Sequence, residues 1–264
     1  MTLPPDIRFS QASLQDFHDC RRRFELRYID RLDWPALESE PALEHEAQMR
    51  LGAQFHRLVQ QHLLGLDPAR IGASIRDPLL RGWWQNYLDH PIPDLPALRR
   101  PEYVLTAPVA GHRLLAKFDL LAVDPGERAV IVDWKTSPRP QGRRWLAERL
   151  QTLVYRFIAV EATAHLNGGV PFKPEQVSLV YWFAGDPESA EVFEYTSAEH
   201  DLARERLAGV ITEIAGLESG GFPLTDDFRT CRFCVYRSLC GRGATRLESW
   251  SSWAPHRRTF AALS

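Results

Sequence analysis

The chain has 264 residues, with 32 Lys and Arg against 34 Asp and Glu and a formal net charge of −2. Hydrophobic residues make up 44% and charged residues 25%, a mixture that excludes disordered, collagen-like and coiled-coil proteins. The nearly neutral total speaks against a generally basic nucleic-acid binder, although local basic patches matter more than the sum.

The N-terminal residues show no basic segment followed by an apolar run, which is the pattern of a signal peptide. No apolar run approaches the ~20 residues needed to cross a bilayer. We therefore expect a cytoplasmic protein without a membrane partner. In that reducing compartment, clustered cysteines bind metal more often than they form disulfides.

Helices dominate the first hundred residues of the predicted structure. Apolar spacing predicts a helix over 10–29, a loop over 33–45 and a second helix over about 46–65. Residues 66–100 end in a proline-rich connection and are expected to form a helical insertion, with Trp83, Trp84 and Tyr87 as its core.

Strands follow the insertion, separated by segments that suit hairpin turns, Ala110-Gly111 and 124–127. The expected elements are strands at 102–109, 112–123 and 128–134, a helix at about 142–165, strands near 176–184 and 190–196, and a helix at 197–218. This order predicts a mixed α/β domain with helical additions.

The strand over 129–136 ends in an acid and a base, Asp133 and Lys135. Alternation along a strand places both side chains on one face. Two charges at the end of a buried strand cost free energy unless they pair with each other or bind something. A purely structural ion pair and a functional site both remain open on this segment alone.

The preceding strand carries a single acid, Asp119, inside an apolar run. The hairpin turn at 124–127 brings Asp119 close to Asp133, and two neighbouring carboxylates raise each other's pKa unless a cation neutralises them. Mg²⁺ or Mn²⁺ suits such a site because these hard ions prefer oxygen ligands.

Two helical pairs flank these acids in the sequence. Upstream, Gly52 and His56 lie one helical turn apart, and His56 offers a nitrogen ligand. Downstream, Gln151 and Tyr155 share one helix face. Taken singly, each of these pairs is weak, and a lone helical histidine is more often a surface or core residue.

In this order, the four motifs resemble those of the PD-(D/E)XK nuclease superfamily and, within it, the RecB-like branch. That branch combines a G-x-x-x-H helix, a strand with Asp, a D-x-K strand and a Q-x-x-x-Y helix. The resemblance implies a restriction-endonuclease-like α/β core: a central mixed β-sheet flanked by helices, plus the helical insertion and a C-terminal cysteine-rich segment. One departure is the Lys117-Phe118-Asp119 context, where the family often has Gly or Pro.

The resemblance also implies roles for individual residues. His56, Asp119, Asp133 and the carbonyl of Trp134 would bind the metal, and Lys135 would position the attacking water and stabilise charge on the scissile phosphate. Gln151 and Tyr155 would support the site or the DNA strand. The chemistry agrees, because phosphodiester hydrolysis needs a nucleophilic water and positive charge beside the phosphoryl oxygens.

The four cysteines have a one-plus-three layout, with Cys20 near the start and Cys231, Cys234 and Cys240 near the end. A zinc ribbon normally has two C-x₂-C pairs, whereas four unevenly spaced thiolates can hold a [4Fe–4S] cluster. Structural zinc and four unrelated buried cysteines remain alternatives. The layout resembles the iron–sulfur members of the superfamily, AddB-type recombination nucleases and CRISPR-adaptation nucleases, and implies a cluster that staples the first helix to residues 231–240.

Arginines cluster at several places, including a group that follows Lys135 directly: Arg139, Arg143, Arg144 and Arg149. They could contact phosphates, and Trp134 and Trp145 could stack on unpaired bases. The alternative is a solvated helix face with tryptophans in the core.

The leading hypothesis is a single nuclease domain over 1–264 that hydrolyses DNA with Mg²⁺ or Mn²⁺. From the resemblance we expect an exonuclease on single-stranded ends that acts in repair, recombination or CRISPR adaptation. The chain has no G-x-x-x-x-G-K-[ST] loop, so any motor would be a separate helicase or recombination partner. The second hypothesis is a DNA-binding or scaffold subunit of a helicase–nuclease complex that cuts little.

Overall fold

The computed structural model describes residues 3–4, 6–33, 40–137, 142–218 and 220–242. Its strands are β1 Arg8–Ser10, β2 Leu98–Val109, β3 His112–Asp124, β4 Arg128–Lys135, β5 Val177–Phe183 and β6 Glu191–Phe193. Its helices are α1 Gln11–Asp19, α2 Arg21–Phe24, α3 Glu40–Leu63, α4 Pro68–Ser74, α5 Pro78–Asp89, α6 Arg143–Glu148, α7 Leu150–Ala162 and α8 Ser197–Gly216. No helix of the described residues is long and apolar enough to cross a membrane.

The strands form one mixed six-stranded sheet, ordered β1-β3-β4-β5-β6 with β2 along the other edge of β3. Strand β1 runs parallel to the start of β3, at 113–115, and β4 runs antiparallel to its end, at 120–124. Between them, residues 116–119 of β3 pair with no strand on that edge among the described residues. The sheet therefore opens at Asp119, and this opening locates the candidate site.

Each face of the sheet supports its own hydrophobic core. Along β4, Ala129 and Ile131 pack into a first core, whereas Val130, Val132 and Trp134 pack into a second. Helices α1, α7 and α8 cover the first core, and α3, α4 and α5 cover the second. A fully buried side chain of this size contributes about 1.5–3 kcal/mol, so these two layers supply most of the stability.

The predicted mixed sheet flanked by helices is confirmed, but three predicted boundaries are wrong. The predicted helix over 10–29 is preceded by β1 and broken at Cys20, whose backbone is extended (φ −160°, ψ 107°). The predicted helix over 142–165 is broken at Arg149 (φ −68°, ψ 139°), which divides α6 from α7. The predicted loop over 33–45 is helical from Glu40 onward, where α3 begins.

The helical segment over 66–100 contains α4 and α5, and Trp83 and Trp84 are buried as predicted. They do not form a core of their own. Both pack with Phe55 of α3 and Trp182 of β5 in the second core. The segment is thus a layer on the sheet, and each of its helices begins at an Asp cap followed by Pro.

Candidate active site

The end of β4 holds a buried acid–base pair. Asp133 is only 3% exposed, and its Oδ2 lies 2.7 Å from Nζ of Lys135. The two side chains share one face, as predicted, while the indole of Trp134 points into the second core. Trp134 is 4% exposed and contacts Tyr87, so its ring cannot stack on DNA, contrary to the sequence-based suggestion.

Gln151, from the first turn of α7, bridges this pair. Its Oε1 accepts a 2.7 Å hydrogen bond from Lys135 Nζ, and its Nε2 donates to Oδ1 of Asp133. Lys135 Nζ also lies 5.0 Å from the ring centre of Tyr181. The ammonium is thereby fixed by three groups, which is the pre-organisation that a charge-stabilising lysine needs.

Asp119 reaches the same point from β3. The ladder between β3 and β4 ends at the pair Leu120–Val132, and Oδ2 of Asp119 then accepts the Trp134 backbone N–H at 3.0 Å. The Asp119 side chain thus takes the place of the next backbone hydrogen bond between β3 and β4. Both carboxyl groups therefore lie at the end of β4. The predicted approach of Asp119 to Asp133 is thus seen in the geometry.

His56 comes from α3 on the opposite side of the opening, with Nδ1 3.3 Å from Oδ2 of Asp119. Gly52, one turn earlier, lets the helix come this close. A Cβ built on Gly52 would lie 2.7 Å from Oγ1 of Thr136, just after β4. A larger residue at position 52 would require the Thr136 side chain to shift, which gives the glycine of this spacing a steric reason.

Tyr155 lies one helical turn after Gln151 on α7 and contacts β3 beside the site. Its hydroxyl donates to the carbonyl oxygen of Lys117 at 2.8 Å, and its ring packs edge-on against Phe118. Burial raises the pKa of Tyr155 well above its usual value, so the phenol stays a hydrogen-bond donor. Its position makes it a support of β3 rather than a group that faces solvent.

Sequence reasoning missed a third carboxylate, Glu102 on β2. One ligand atom each from His56, Glu102 and Asp119 lie within 4.8 Å of one another. Glu102 has a left-handed backbone (φ +52°), a strained conformation that costs on the order of 1–3 kcal/mol for such a residue. Counting residues back from the Ala110-Gly111 turn pairs Glu102 with Asp119 on the neighbouring strand. The hairpin register could therefore have identified Glu102 from the sequence.

The charges in this opening perturb one another. Burial, followed by the nearby Asp119 charge, outweighs the Lys135 ammonium and raises the pKa of Asp133 to about 6. Burial lowers the pKa of His56, but the hydrogen bond and charge of Asp119, with Asp133 and Glu102, outweigh it and raise that pKa. The shift of His56 reports the negative charge of the neighbouring carboxylates, whereas that of Asp133 reports mainly its burial, and a cation would favour the ionised carboxylates.

The donor set fits a hard divalent cation. Carboxylate oxygens with one imidazole are the ligands that Mg²⁺ and Mn²⁺ accept. Both oxygens of Asp133 already have partners, since Oδ1 accepts from Gln151 and Oδ2 lies 2.7 Å from the Lys135 ammonium. A bound cation would therefore share this carboxylate with Lys135.

The predicted DNA-contacting arginines lie on and before α6 and point in different directions. Arg143 pairs with Glu191 at 2.6 Å and covers the Phe193 ring, whereas Arg144 is 93% exposed. Trp145 is 45% exposed with the Arg149 guanidinium 4.6 Å above its ring centre. Arg139 lies outside the described residues.

The four cysteines meet although more than 200 residues separate the first from the rest. Cys20, Cys231, Cys234 and Cys240 line one small cavity, together with Arg23 and Arg242, and all four are free thiols. Arg242 Nη1 donates to Sγ of Cys231 at 3.5 Å. The break between α1 and α2 falls at Cys20 and places this residue beside the other three cysteines. The sequence did not predict this break.

Known proteins were compared with this sequence and this fold. A family model of the PD-(D/E)XK nuclease superfamily matches residues 8–241. The crystal structure of a "putative exonuclease" from Eubacterium rectale is similar in fold, with a TM-score of 0.50, 13% identity and coverage of 85% of this chain and 88% of that chain. The crystal structure of SSO0001 aligns with a TM-score of 0.39 at 13% identity, over 90% of this chain and 87% of that chain. No curated protein sequence matches the chain.

Proposed function

Because the chain belongs to the PD-(D/E)XK nuclease superfamily, we propose that it is a metal-dependent deoxyribonuclease that hydrolyses phosphodiester bonds at the opening between β3 and β4. One observation carries the proposal: Asp119, Asp133, Lys135 and His56 converge on this opening from three elements. We take residues 1–264 as a single nuclease domain, since both cores share one sheet.

In this proposal, Asp119, Asp133 and His56 hold Mg²⁺ or Mn²⁺, together with the backbone carbonyl of Trp134. The ion, when bound, supplies positive charge that activates water and stabilises negative charge on the phosphoryl oxygens. Lys135 adds a fixed positive charge that orients the attacking water and the scissile phosphate. Gln151 fixes the distance between the Lys135 and Asp133 side chains. Tyr155 anchors β3, the strand that carries Asp119.

DNA is the proposed substrate, and an exposed arginine and a tryptophan beside α6 support it. Arg144 is exposed and pairs with Glu148 at 3.1 Å, a surface contact that a phosphate could replace, and Trp145 offers a partly exposed ring for a nucleobase, as in single-strand binders. Arg143 could join them if DNA displaced Glu191. We therefore propose an exonuclease of the RecB-like type on single-stranded ends, which acts in repair, recombination or CRISPR adaptation with a separate helicase or recombination partner.

We further propose that the four cysteines hold a [4Fe–4S] cluster. The four cysteines come from two distant parts of the chain and line one cavity, and uneven spacing of this kind is common among the ligands of such clusters. Arg23 and Arg242 lie beside the sulfurs and can offset the negative charge of four thiolates. Free thiols in a reducing cytosol agree with this assignment.

The scaffold alternative, in which the chain binds DNA and cuts little, predicts a degenerate site. Here the acid–base pair, the second acid and the histidine are all in contact. No feature of the site therefore favours that alternative.

Cleavage of end-labelled single- and double-stranded DNA with Mg²⁺ or Mn²⁺ tests the proposal. Wild-type protein should release short products, and Lys135→Ala and Asp133→Asn should lose at least about 100-fold in kcat while still binding DNA. Arg206→Ala, an exposed arginine on α8, serves as the control and should cut normally. Equal cleavage by wild type and Lys135→Ala would falsify the catalytic assignment.

A further inference from the structure

Glu102 and Asp119 face each other at an interrupted rung of the β2–β3 hairpin. Pairing is continuous from Leu98–Val123 to Pro101–Leu120 and again from Tyr103–Phe118 to Val109–His112. The pair between them, Glu102 and Asp119, is absent from the ladder although the register is unchanged on either side. The interruption is therefore local and involves these two acids.

Both strands change face at this rung. On β3, Phe118 and Leu121 pack into the first core although they are three residues apart, and a regular strand would put them on opposite faces. On β2, Leu98 and Tyr103 pack against the same core at a separation of five. A matched distortion of two neighbouring strands turns both acids away from the regular sheet faces, toward His56.

From this geometry we propose that Glu102 is a further ligand of the divalent cation, in addition to His56, Asp119 and Asp133. The inference rests on the nuclease proposal above, because it concerns the same ion. The donor atoms of His56, Glu102 and Asp119 already lie within 4.8 Å of one another.

Lys117 provides the positive charge that neutralises Glu102. Its ammonium pairs with Glu102 Oε2, and its side chain is 58% exposed, so it can swing away into water at little cost. We assign this contact as the ion-free arrangement, in which Lys117 neutralises Glu102. A bound cation replaces Lys117 as the partner of Glu102.

This assignment makes two neighbouring substitutions act in opposite directions. Glu102→Gln removes a ligand, so the affinity for Mn²⁺ should fall at least about tenfold. Lys117→Gln removes only a competitor, so affinity should stay equal or rise. If Glu102 acted only through its charge, Glu102→Asp would bind Mn²⁺ as tightly as the wild type, whereas a ligand shortened by one methylene should bind the ion more weakly.

Mn²⁺ binding is measured by calorimetry and by the electron paramagnetic resonance signal of the free ion, without DNA. Wild type, Glu102→Gln, Lys117→Gln and Asp119→Asn are compared, with Glu213→Gln as the control for loss of a paired surface glutamate. Thermal unfolding in metal-free buffer verifies that each variant is folded. Glu102→Asp, which keeps the charge and tolerates a left-handed backbone, should retain more affinity than Glu102→Gln.

The outcomes separate this inference from the nuclease proposal. Weaker binding by Glu102→Gln, with normal or tighter binding by Lys117→Gln, supports the ligand role. Unchanged binding by Glu102→Gln, with binding lost in Asp119→Asn, overturns the role of Glu102 and leaves the nuclease site intact. Absence of Mn²⁺ binding by the wild type overturns both.

Discussion

Gly52 of α3 lies so close to Thr136, just after β4, that a Cβ on Gly52 would be 2.7 Å from the Thr136 hydroxyl oxygen. This distance is shorter than a carbon–oxygen contact allows. An alanine at position 52 would therefore force the Thr136 side chain or α3, which carries His56, to move.

Gly52→Ala should push α3 away from β4 and lower Mn²⁺ affinity, with overpacking costing about 1–3 kcal/mol of unfolding free energy. Denaturant unfolding and Mn²⁺ titration measure both effects. The double variant Gly52→Ala/Thr136→Gly should recover most of the affinity because it removes the clashing side chain. Gly82→Ala on α5, where a Cβ meets open space, should instead stabilise the helix by about 0.5–1 kcal/mol. Equal losses in both alanine variants would contradict this explanation.

Gln151 is expected to act on catalysis through the two groups that it holds. Gln151→Leu removes both hydrogen bonds, so Lys135 and Asp133 lose their fixed spacing and kcat should fall about 10–100-fold. KM for DNA should change little, because Gln151 itself faces the strand end. Steady-state kinetics measure this split. The control is Gln85→Leu, an exposed glutamine that donates to Asp89 on the same helix, far along the chain from the strand end. A loss confined to KM would assign Gln151 to DNA binding instead.

Without metal, the protein should lose stability as pH rises. Asp133 has a folded-state pKa of about 6, above its unfolded value of 3.8, so folding favours its protonated form and stability falls between about pH 4 and 6. The raised pKa of His56 adds stability below about pH 6.5, and this is lost as pH rises through its folded-state pKa.

Metal should reverse this dependence. Mn²⁺ replaces protons as the balancing charge, so its stabilising effect should be larger at pH 8 than at pH 5.5. Melting temperatures with Mn²⁺ and with a chelator, at both pH values, provide the measurement. Asp133→Asn should flatten the metal-free profile between pH 4 and 6. A metal-free wild type that gains stability over this range would refute the assignment.

Cys20→Ser should remove the proposed cluster. Anaerobically purified wild type should contain iron and sulfide and absorb visible light, whereas the variant should be colourless. Closing a loop of some 200 residues restricts the unfolded chain, so the variant should melt lower by on the order of 10 °C. Wild type stripped of iron should melt at the same temperature as the variant. Zinc in place of iron and sulfide in the wild type would rule out the cluster.

The sequence pattern was enough to predict where side chains lie when a motif falls within a single strand or hairpin. The D-x-K strand predicted Asp133 and Lys135 on one face, and the hairpin turn predicted the approach of Asp119, because strand alternation and turn length decide both. The pattern failed where tertiary contacts override local preference. Nothing in the residues around Cys20 or Arg149 is a helix breaker, yet the backbone is extended at each.

Glu102 was missed for a related reason. In regular strands, the side chains of Glu102 and Asp119 would project from a face of the sheet. The interruption that β2 and β3 share at these residues directs both side chains toward His56 instead. Left-handed backbone at a glutamate has no local sequence signal. The residues of the site could thus be read from motifs, but its full set of donors depended on the hairpin.

The meeting of Cys20 with Cys231, Cys234 and Cys240 has a consequence for biosynthesis. Other contacts cross the same distance: Tyr236 donates to the Leu32 carbonyl, and the Gly220 N–H donates to Glu25. At 5–20 residues per second, a ribosome needs about 10–40 s to make the stretch between Cys20 and Cys231. Throughout that time Cys20 lacks the C-terminal segment that lines its cavity in the finished protein. The nascent chain thus exposes a thiol that the finished protein buries, and a prematurely terminated chain would carry that exposed thiol permanently.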